Sequence, residues 1–181
     1  MHIKTVLFFI GAAVLTILSG CGSPNYAPLN VVDKVDVARY LGKWYEISHL
    51  PNSFQKKCNC TSAEYSILDS TTILVVNTCR KDSSNGEISQ VKGKAFLVEG
   101  TNNTKFRVQF FWPFRGDYWI IDLDKDNYQY AVVGTPSRQY LWILSRKPTM
   151  EEKLYYSLVD KCKEKGFDIR MLVKTNQDCQ E

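Results

Sequence analysis

The stretch FRVQFFW, from Phe106 to Trp112, carries the clearest periodicity in the chain. Its apolar side chains recur at every second position, including Val108 and Phe110, and the polar Arg107 stands between the first two. Successive side chains of a β-strand point to opposite faces, so a period of two predicts a strand with one buried face. We therefore predict a strand over Phe106–Trp112.

Other segments of the chain show the same alternation and are bounded by turn residues. Eight or nine short strands joined by hairpin turns predict an all-β fold, a closed antiparallel barrel, although the pattern alone leaves a β-sandwich open. A barrel of this size has room for one small ligand. The predicted strands are Trp44–His49, Thr61–Leu68, Ile73–Cys79, Gly86–Lys92, Lys94–Glu99, Tyr118–Leu123, Tyr130–Gly134, Leu141–Ser145 and a final short Met171–Lys174.

One α-helix is predicted near the C-terminus, after the barrel strands. Thr149, with Glu152 three residues later, forms a candidate capping box, and Gly166 is a natural C-cap. An apolar stripe on one face predicts that this helix packs against the outside of the barrel. The stripe consists of Leu154, Leu158 and Cys162.

Three segments resemble motifs of the lipocalin family. GKWYE at residues 42–46 resembles the G-x-W-Y-E motif of the first strand, and LWILSR at 141–146 resembles the last barrel strand with its closing Arg. LDKDNY at 123–128 resembles a degraded form of a family turn, without its Thr and adjacent Tyr. The similarity is to the branch of bacterial outer-membrane lipoproteins and apolipoprotein D, and it implies an eight-stranded antiparallel up-and-down lipocalin barrel with one C-terminal helix packed outside it.

The resemblance implies roles for individual residues. Gly42, Trp44 and Arg146 would close one end of the barrel, with the guanidinium stacked on the indole. Five side chains would face the ligand, and each could instead be ordinary barrel filling, because a slip of one residue in register reverses the faces. These candidates are Tyr65, Asn77, Phe110, Tyr118 and Trp142.

Five cysteines follow Cys21 in the sequence. An exported chain meets an oxidising compartment, so we expect disulfides among them. The resemblance implies a Cys60–Cys179 disulfide. A hairpin of the second and third strands would bring Cys58 close to Cys79, but the residues leave open which of Cys58 and Cys60 takes which partner. Cys162 lies on the apolar helix face, so we expect a buried free thiol there.

The N-terminus resembles a lipoprotein signal. The apolar run Val6–Leu18 is too short to span a bilayer as a mature helix and is typical of a cleaved signal peptide. LSGC at residues 18–21 resembles a lipobox, whose Cys becomes lipidated; an ordinary signal peptide that happens to contain a Cys is the alternative. We predict a signal peptide over 1–20, a lipidated tether over 21–30 and a lipocalin domain over 31–181, anchored through Cys21. Gly22 in place of Asp favours the outer membrane, with the domain on the periplasmic side.

Other function classes find little support in the composition. Basic and acidic residues are interleaved and the formal net charge is only +4, which argues against nucleic acid as a partner. After residue 20 the one histidine is His49, and no G-x-S-x-G elbow or phosphate-binding Gly-rich loop occurs, so we predict no catalytic residues and no enzyme. Cys58-x-Cys60 is too tightly spaced for the usual zinc pair, so we predict no metal and no cofactor.

The resemblance implies a carrier of small hydrophobic ligands, most of all fatty acids or lysophospholipids, for storage or transfer at the membrane. Bulkier ring ligands, a tetrapyrrole or a carotenoid, are the first alternative. The second alternative is an interaction scaffold whose barrel is filled by its own side chains. The sequence leaves a homodimer open.

Overall fold

The computed structural model describes residues 26–179, so the predicted signal peptide and Cys21 lie outside the described residues. A short helix, α1, precedes eight long or medium strands, and a second helix, α2, and a ninth short strand follow them. The elements are α1 (Val37–Tyr40), β1 (Gly42–His49), β2 (Cys58–Ile67), β3 (Thr72–Lys81), β4 (Ile88–Leu97), β5 (Lys105–Gln109), β6 (Gly116–Leu123), β7 (Tyr130–Gly134), β8 (Leu141–Ser145), α2 (Glu152–Glu164) and β9 (Val173–Lys174).

Strands β1 to β8 form a closed antiparallel barrel. Each strand pairs with the next, and β1 pairs with both β2 and β8, which completes the circle. The predicted up-and-down barrel is therefore confirmed, and a sandwich is excluded. Short β9 adds to the edge of β1 at Ser48 and His49, beyond the part of β1 that pairs with β2.

The predicted strands differ from the structure in three main places, and one of them is the last strand: Met171 belongs to a 3-10 turn, Ile169–Met171, so that β9 begins only at Val173. The two strands predicted over Gly86–Lys92 and Lys94–Glu99 form one strand, β4, which continues through Gly93. A Cβ at Gly93 would come within 2.6 Å of the Phe110 ring, so the absence of a side chain makes room for that ring. Glycine in a strand often marks such a close approach. The strand predicted over Phe106–Trp112 ends at Gln109, because the chain turns at residues 111–114 and Pro113 has no N–H for a ladder.

The barrel has two unlike ends. We call the end that carries α1, the β2–β3, β4–β5 and β6–β7 loops and Arg146 the closed end. The open end carries the β1–β2, β3–β4, β5–β6 and β7–β8 loops, which are residues 50–57, 82–87, 110–115 and 135–140. The backbone of Val35, just ahead of α1, donates to the Asn102 carbonyl at 3.0 Å, which holds α1 across the closed end.

Helix α2 packs outside the barrel, as predicted, through Tyr155, Leu158 and Cys162. Its start differs from the prediction: the N-cap is Glu151, in extended backbone, and no side chain caps it, so Thr149 and Glu152 form no capping box. Met150, just before this N-cap, packs against the cluster beneath the helix. Gly166 follows the helix at a φ of 86°, where glycine is favoured.

A segment that we call the N-terminal strap, residues 26–36, runs outside the barrel from the open end to the closed end. Leu29 is buried, although it belongs to the expected tether. In the β7–β8 loop, Arg138 donates through Nη2 to the Ala27 carbonyl at 2.6 Å and lies over the ring of Tyr26. Further along, the Val32 N–H donates to the Ile120 carbonyl at 3.1 Å. The described end of the expected tether therefore lies on the barrel surface.

The residues after β9 fill the gap where β1 and β2 diverge near the open end. In this C-terminal tail, residues 175–179, the Gln177 side chain donates to the carbonyls of Glu46 and Thr61 at 2.7 and 2.8 Å, bridging the two strands. A Cys60–Cys179 disulfide fastens the tail. A second disulfide joins Cys58 to Cys79 across the hairpin of β2 and β3, and Cys162 is a buried free thiol.

Candidate functional site

The closed end is sealed by an aromatic and arginine pair. Trp44, on β1, is fully buried and donates its Nε1 to the Tyr40 carbonyl at 2.8 Å. The Arg146 guanidinium lies 3.8 Å from the Trp44 ring and donates to the carbonyls of Lys43 and Arg39. Gly42 has a φ of 86°, so a side chain there would strain the turn into β1. This end of the barrel is therefore a solid plug.

Three tyrosine hydroxyls meet inside the barrel just above the plug. We call Tyr40, Tyr65 and Tyr118 the tyrosine cluster; the Tyr118 hydroxyl lies 2.8 Å from that of Tyr40 and 2.8 Å from that of Tyr65. Tyr40 and Tyr65 are buried, whereas Tyr118 is half-buried. Burial raises the pKa of all three phenols, to about 12 at Tyr65, so all three stay neutral at physiological pH.

Above the cluster, inward-facing side chains become partly accessible. Asn77 pairs with Ala63 and Val91 on neighbouring strands, and Phe110 lies against Gly93. Asn77, Phe110 and Trp142 are all half-buried, in contrast to the plug. The side chain of Asn77 makes no hydrogen bond to any residue between 26 and 179. The barrel interior toward the open end is therefore partly accessible to solvent at these three residues, and we call the region that they line the hollow.

One rim of this hollow is a buried polar network. The Glu46 carboxylate accepts from Gln55 at 2.6 Å and from the Thr175 hydroxyl at 2.6 Å, and it lies 2.9 Å from Nδ1 of His49. Trp142 donates its Nε1 to the Gln55 side-chain oxygen at 2.9 Å. The network satisfies a buried carboxylate and fixes the orientation of the Trp142 indole.

The five candidate ligand residues all lie on the inner face, but at two depths. Tyr65 and Tyr118 belong to the tyrosine cluster, while Asn77, Phe110 and Trp142 line the hollow. Sequence reasoning missed the third phenol, the polar network and the role of the tail. Tyr40 precedes the first strand, and its hydroxyl partner is 78 residues away, so no local pattern could have revealed the cluster.

Two further features of the described residues bear on function. No helix among them is long and apolar enough to cross a membrane. Between residues 26 and 179 no group of three or more His, Cys, Asp or Glu side chains is arranged to hold a metal ion.

Comparison with known proteins agrees with the observed fold. The family model described as Lipocalin-like domain matches residues 35–177. The outer membrane lipoprotein Blc of Vibrio cholerae is 37% identical over 172 residues, covering 94% of this chain and 98% of the relative. Apolipoprotein D of Mus musculus is 35% identical over 167 residues, covering 88% of this chain and 84% of the relative.

A solved structure has the same fold at low sequence identity. Insecticyanin from the tobacco hornworm Manduca sexta superposes with a TM-score of 0.65 at 21% identity, covering 86% of each chain. At this identity the likeness concerns the fold alone. The resemblance read from the GKWYE and LWILSR segments is confirmed by the family match and by the two relatives.

Proposed function

This chain belongs to the lipocalin family, whose members are binding proteins rather than enzymes, and we propose that it is an outer-membrane-anchored carrier of fatty acids or lysophospholipids. It is a Blc-like lipoprotein, and small hydrophobic ligands are the general cargo that its family implies. The choice of an acyl chain as cargo, the anchor on Cys21 and the periplasmic side are parts of the proposal.

The observation that carries the proposal is the difference in packing along the barrel axis. Trp44 and the tyrosine cluster fill the lower half, whereas Asn77, Phe110 and Trp142 leave apolar surface accessible in the upper half. Ligand sites are concave, mostly apolar and carry a few polar groups. Burying about ten methylenes at ~0.8 kcal/mol each would give a gross gain of roughly 8 kcal/mol, which the costs of association reduce. Because roughly 8 kcal/mol corresponds to a dissociation constant of about 1 μM, micromolar affinity is the upper limit for an acyl chain of this length.

The N-terminal strap supports a definite orientation at the membrane. Its first described residues lie at the open end, where Arg138 binds the Ala27 carbonyl and lies over Tyr26. Cys21 precedes Tyr26 by five residues, which span at most ~18 Å when fully extended. A lipid on Cys21 would therefore hold the open end, not the closed end, near the bilayer.

An exposed aromatic loop at the same end supports this orientation. Phe111, Trp112 and Phe114, in the β5–β6 loop, are 72%, 86% and 76% exposed. Such side chains suit the interface between headgroups and acyl chains, where aromatic rings are favoured. We propose that this aromatic loop contacts the lipid surface, so that cargo passes between the bilayer and the hollow over a short path.

The test is a titration of the chain from residue 21 onward, with Cys21→Ser to prevent acylation; this chain contains every described contact. Palmitic acid and lysophosphatidylcholine are added while heat and tryptophan fluorescence are recorded. We expect saturation at one ligand per chain. Trp142→Phe should weaken the ligand affinity about tenfold, because it replaces a side chain that lines the hollow by a smaller one.

The matched control is Trp119→Phe, which also removes one indole. Trp119 lies on the outer face of β6, where the Lys105 ammonium lies 3.9 Å from the centre of the indole ring. The Trp119→Phe substitution should therefore leave the ligand affinity unchanged. Equal weakening by both variants would place the ligand elsewhere. Absence of binding by a folded chain would overturn the carrier proposal in favour of a ring ligand or a scaffold.

A further inference from the structure

The tyrosine cluster contains one more hydrogen-bond donor than it uses. Each phenol has a single O–H and can accept through its lone pairs. Three hydroxyls joined by two hydrogen bonds consume two of the three protons. None of these hydroxyls bonds to any other residue within 26–179, so one O–H proton is left without a protein partner.

Burial decides which hydroxyl holds the spare proton. If the proton belonged to Tyr40 or Tyr65, an unpaired donor would be buried among apolar side chains, which is unfavourable. If both of these phenols donate to Tyr118, its oxygen accepts twice and its own proton is the one left. Tyr118 is also the half-buried member, at the boundary between the plug and the hollow. The favoured arrangement therefore directs one donor into the ligand space.

We infer that the Tyr118 hydroxyl donates a hydrogen bond to the cargo, and that the barrel prefers acyl chains with a neutral oxygen, such as a ketone, hydroxyl or ether, near the end that enters first. This inference rests on the proposed function and adds a preference within the lipid class. A plain methyl end leaves the donor unpaired, and a site built to hydrogen-bond its ligand discriminates against analogues that lack the partner. A carboxylate is a poor deep acceptor, because an unpaired charge is costly to bury.

Three acids of equal length test the preference, added to the chain from residue 21 with Cys21→Ser and followed by calorimetry. They are octadecanoic acid, its derivative with a ketone next to the terminal methyl group, and an isomer with the ketone in the half of the chain nearest the carboxyl group. We expect the first keto acid to bind about tenfold more tightly than the other two, the equivalent of one added hydrogen bond.

Two variants locate the donor. Tyr118→Phe should bind all three acids equally. Tyr65→Phe should keep the preference, because Tyr40 still donates to the Tyr118 oxygen and the Tyr118 proton remains available for the ligand. Tyr45→Phe is the matched control on the outer face of β1, next to Lys43, and should behave as the parent chain. Loss of the preference in Tyr65→Phe would contradict the proton assignment.

The outcomes separate this inference from the function it rests on. If all three acids bind the parent chain with equal affinity, the inference is overturned and the carrier proposal stands. If a folded parent chain binds none of them, both are overturned. The comparison of the three acids uses the barrel without any substitution in it, so the preference is tested even if Tyr118→Phe does not fold, and Tyr65→Phe then tests the proton assignment.

Discussion

The two ends of this barrel are held by different forces. The closed end has a continuous core in which Trp44 and Ile120 are fully buried and Arg146 covers the plug. At the open end the inward-facing Phe110 and Trp142 are only half-buried, and both disulfides lie in this half, Cys58–Cys79 and Cys60–Cys179. A region with less burial gains less packing energy, and here two covalent links and the C-terminal tail hold the strands together.

The largest effect should come from the plug. Trp44→Ala removes a fully buried indole, its hydrogen bond to the Tyr40 carbonyl and the surface on which Arg146 stacks. We expect the free energy of unfolding to fall by about 3–5 kcal/mol, measured by urea denaturation. A loss below about 1 kcal/mol would mean that the closed end is not the stabilising region.

The next effect should come from the link that holds the tail. Replacing Cys60 and Cys179 together by Ser opens a loop with a sequence separation of 119 and should lower the free energy of unfolding by about 2–4 kcal/mol. The matched variant removes Cys58–Cys79, with a separation of 21. Chain entropy predicts a loss about 1.5 kcal/mol smaller for that variant. The reverse order, in the same urea experiment, would mean that the tail contributes little to the open end.

Alkaline pH should lower the free energy of unfolding through the buried tyrosine cluster. The pKa of Tyr65 is raised by burial from 10 to about 12 in the folded chain, so its neutral form contributes stability that is complete below pH 10. As pH rises from 10 to 12 this contribution is lost, about 2–3 kcal/mol for this residue. Absorbance titration should find that Tyr40, Tyr65 and Tyr118 ionise only on unfolding, whereas in urea all ten tyrosines titrate together. Titration of every tyrosine near pH 10 in the folded chain would contradict this.

The smallest effect on stability should come from the aromatic loop. Trp112→Ser replaces a side chain that is 86% exposed, so we expect the free energy of unfolding to change by less than about 0.5 kcal/mol. The same substitution should lower partition onto vesicles of phosphatidylethanolamine and phosphatidylglycerol, measured by sedimentation. A large loss of stability would mean that the loop serves the fold rather than the lipid surface.

Much of the fold could be predicted, because strands with one buried face carry a period of two. The prediction was wrong where tertiary contacts overrode local signals. Gly93 stays within β4 because Phe110 covers it, and Met150 packs beneath α2 while Thr149 does not cap the helix.

The candidate site was less accessible to prediction than the fold. The resemblance supplied five inward residues, and the structure puts Tyr65 and Tyr118 in one hydrogen-bonded cluster, apart from the other three. Tyr40 and Gln55 complete the cluster and the rim through partners 78 and 87 residues away. Contacts of that separation depend on barrel closure and leave no mark on local periodicity.

The position of β1 has a consequence for folding kinetics. This strand is formed from the first barrel residues, yet its partners include β8 and β9, about a hundred or more positions later. Pairings between distant residues are slow to form, because a long loop must close before the contact stabilises it. Hairpins such as β2–β3 can assemble early, but the barrel stays open along β1 until the last strands arrive. During that interval the edge of β1 that later pairs with β8 and β9 is unpaired, and an unpaired strand edge is a site of aggregation.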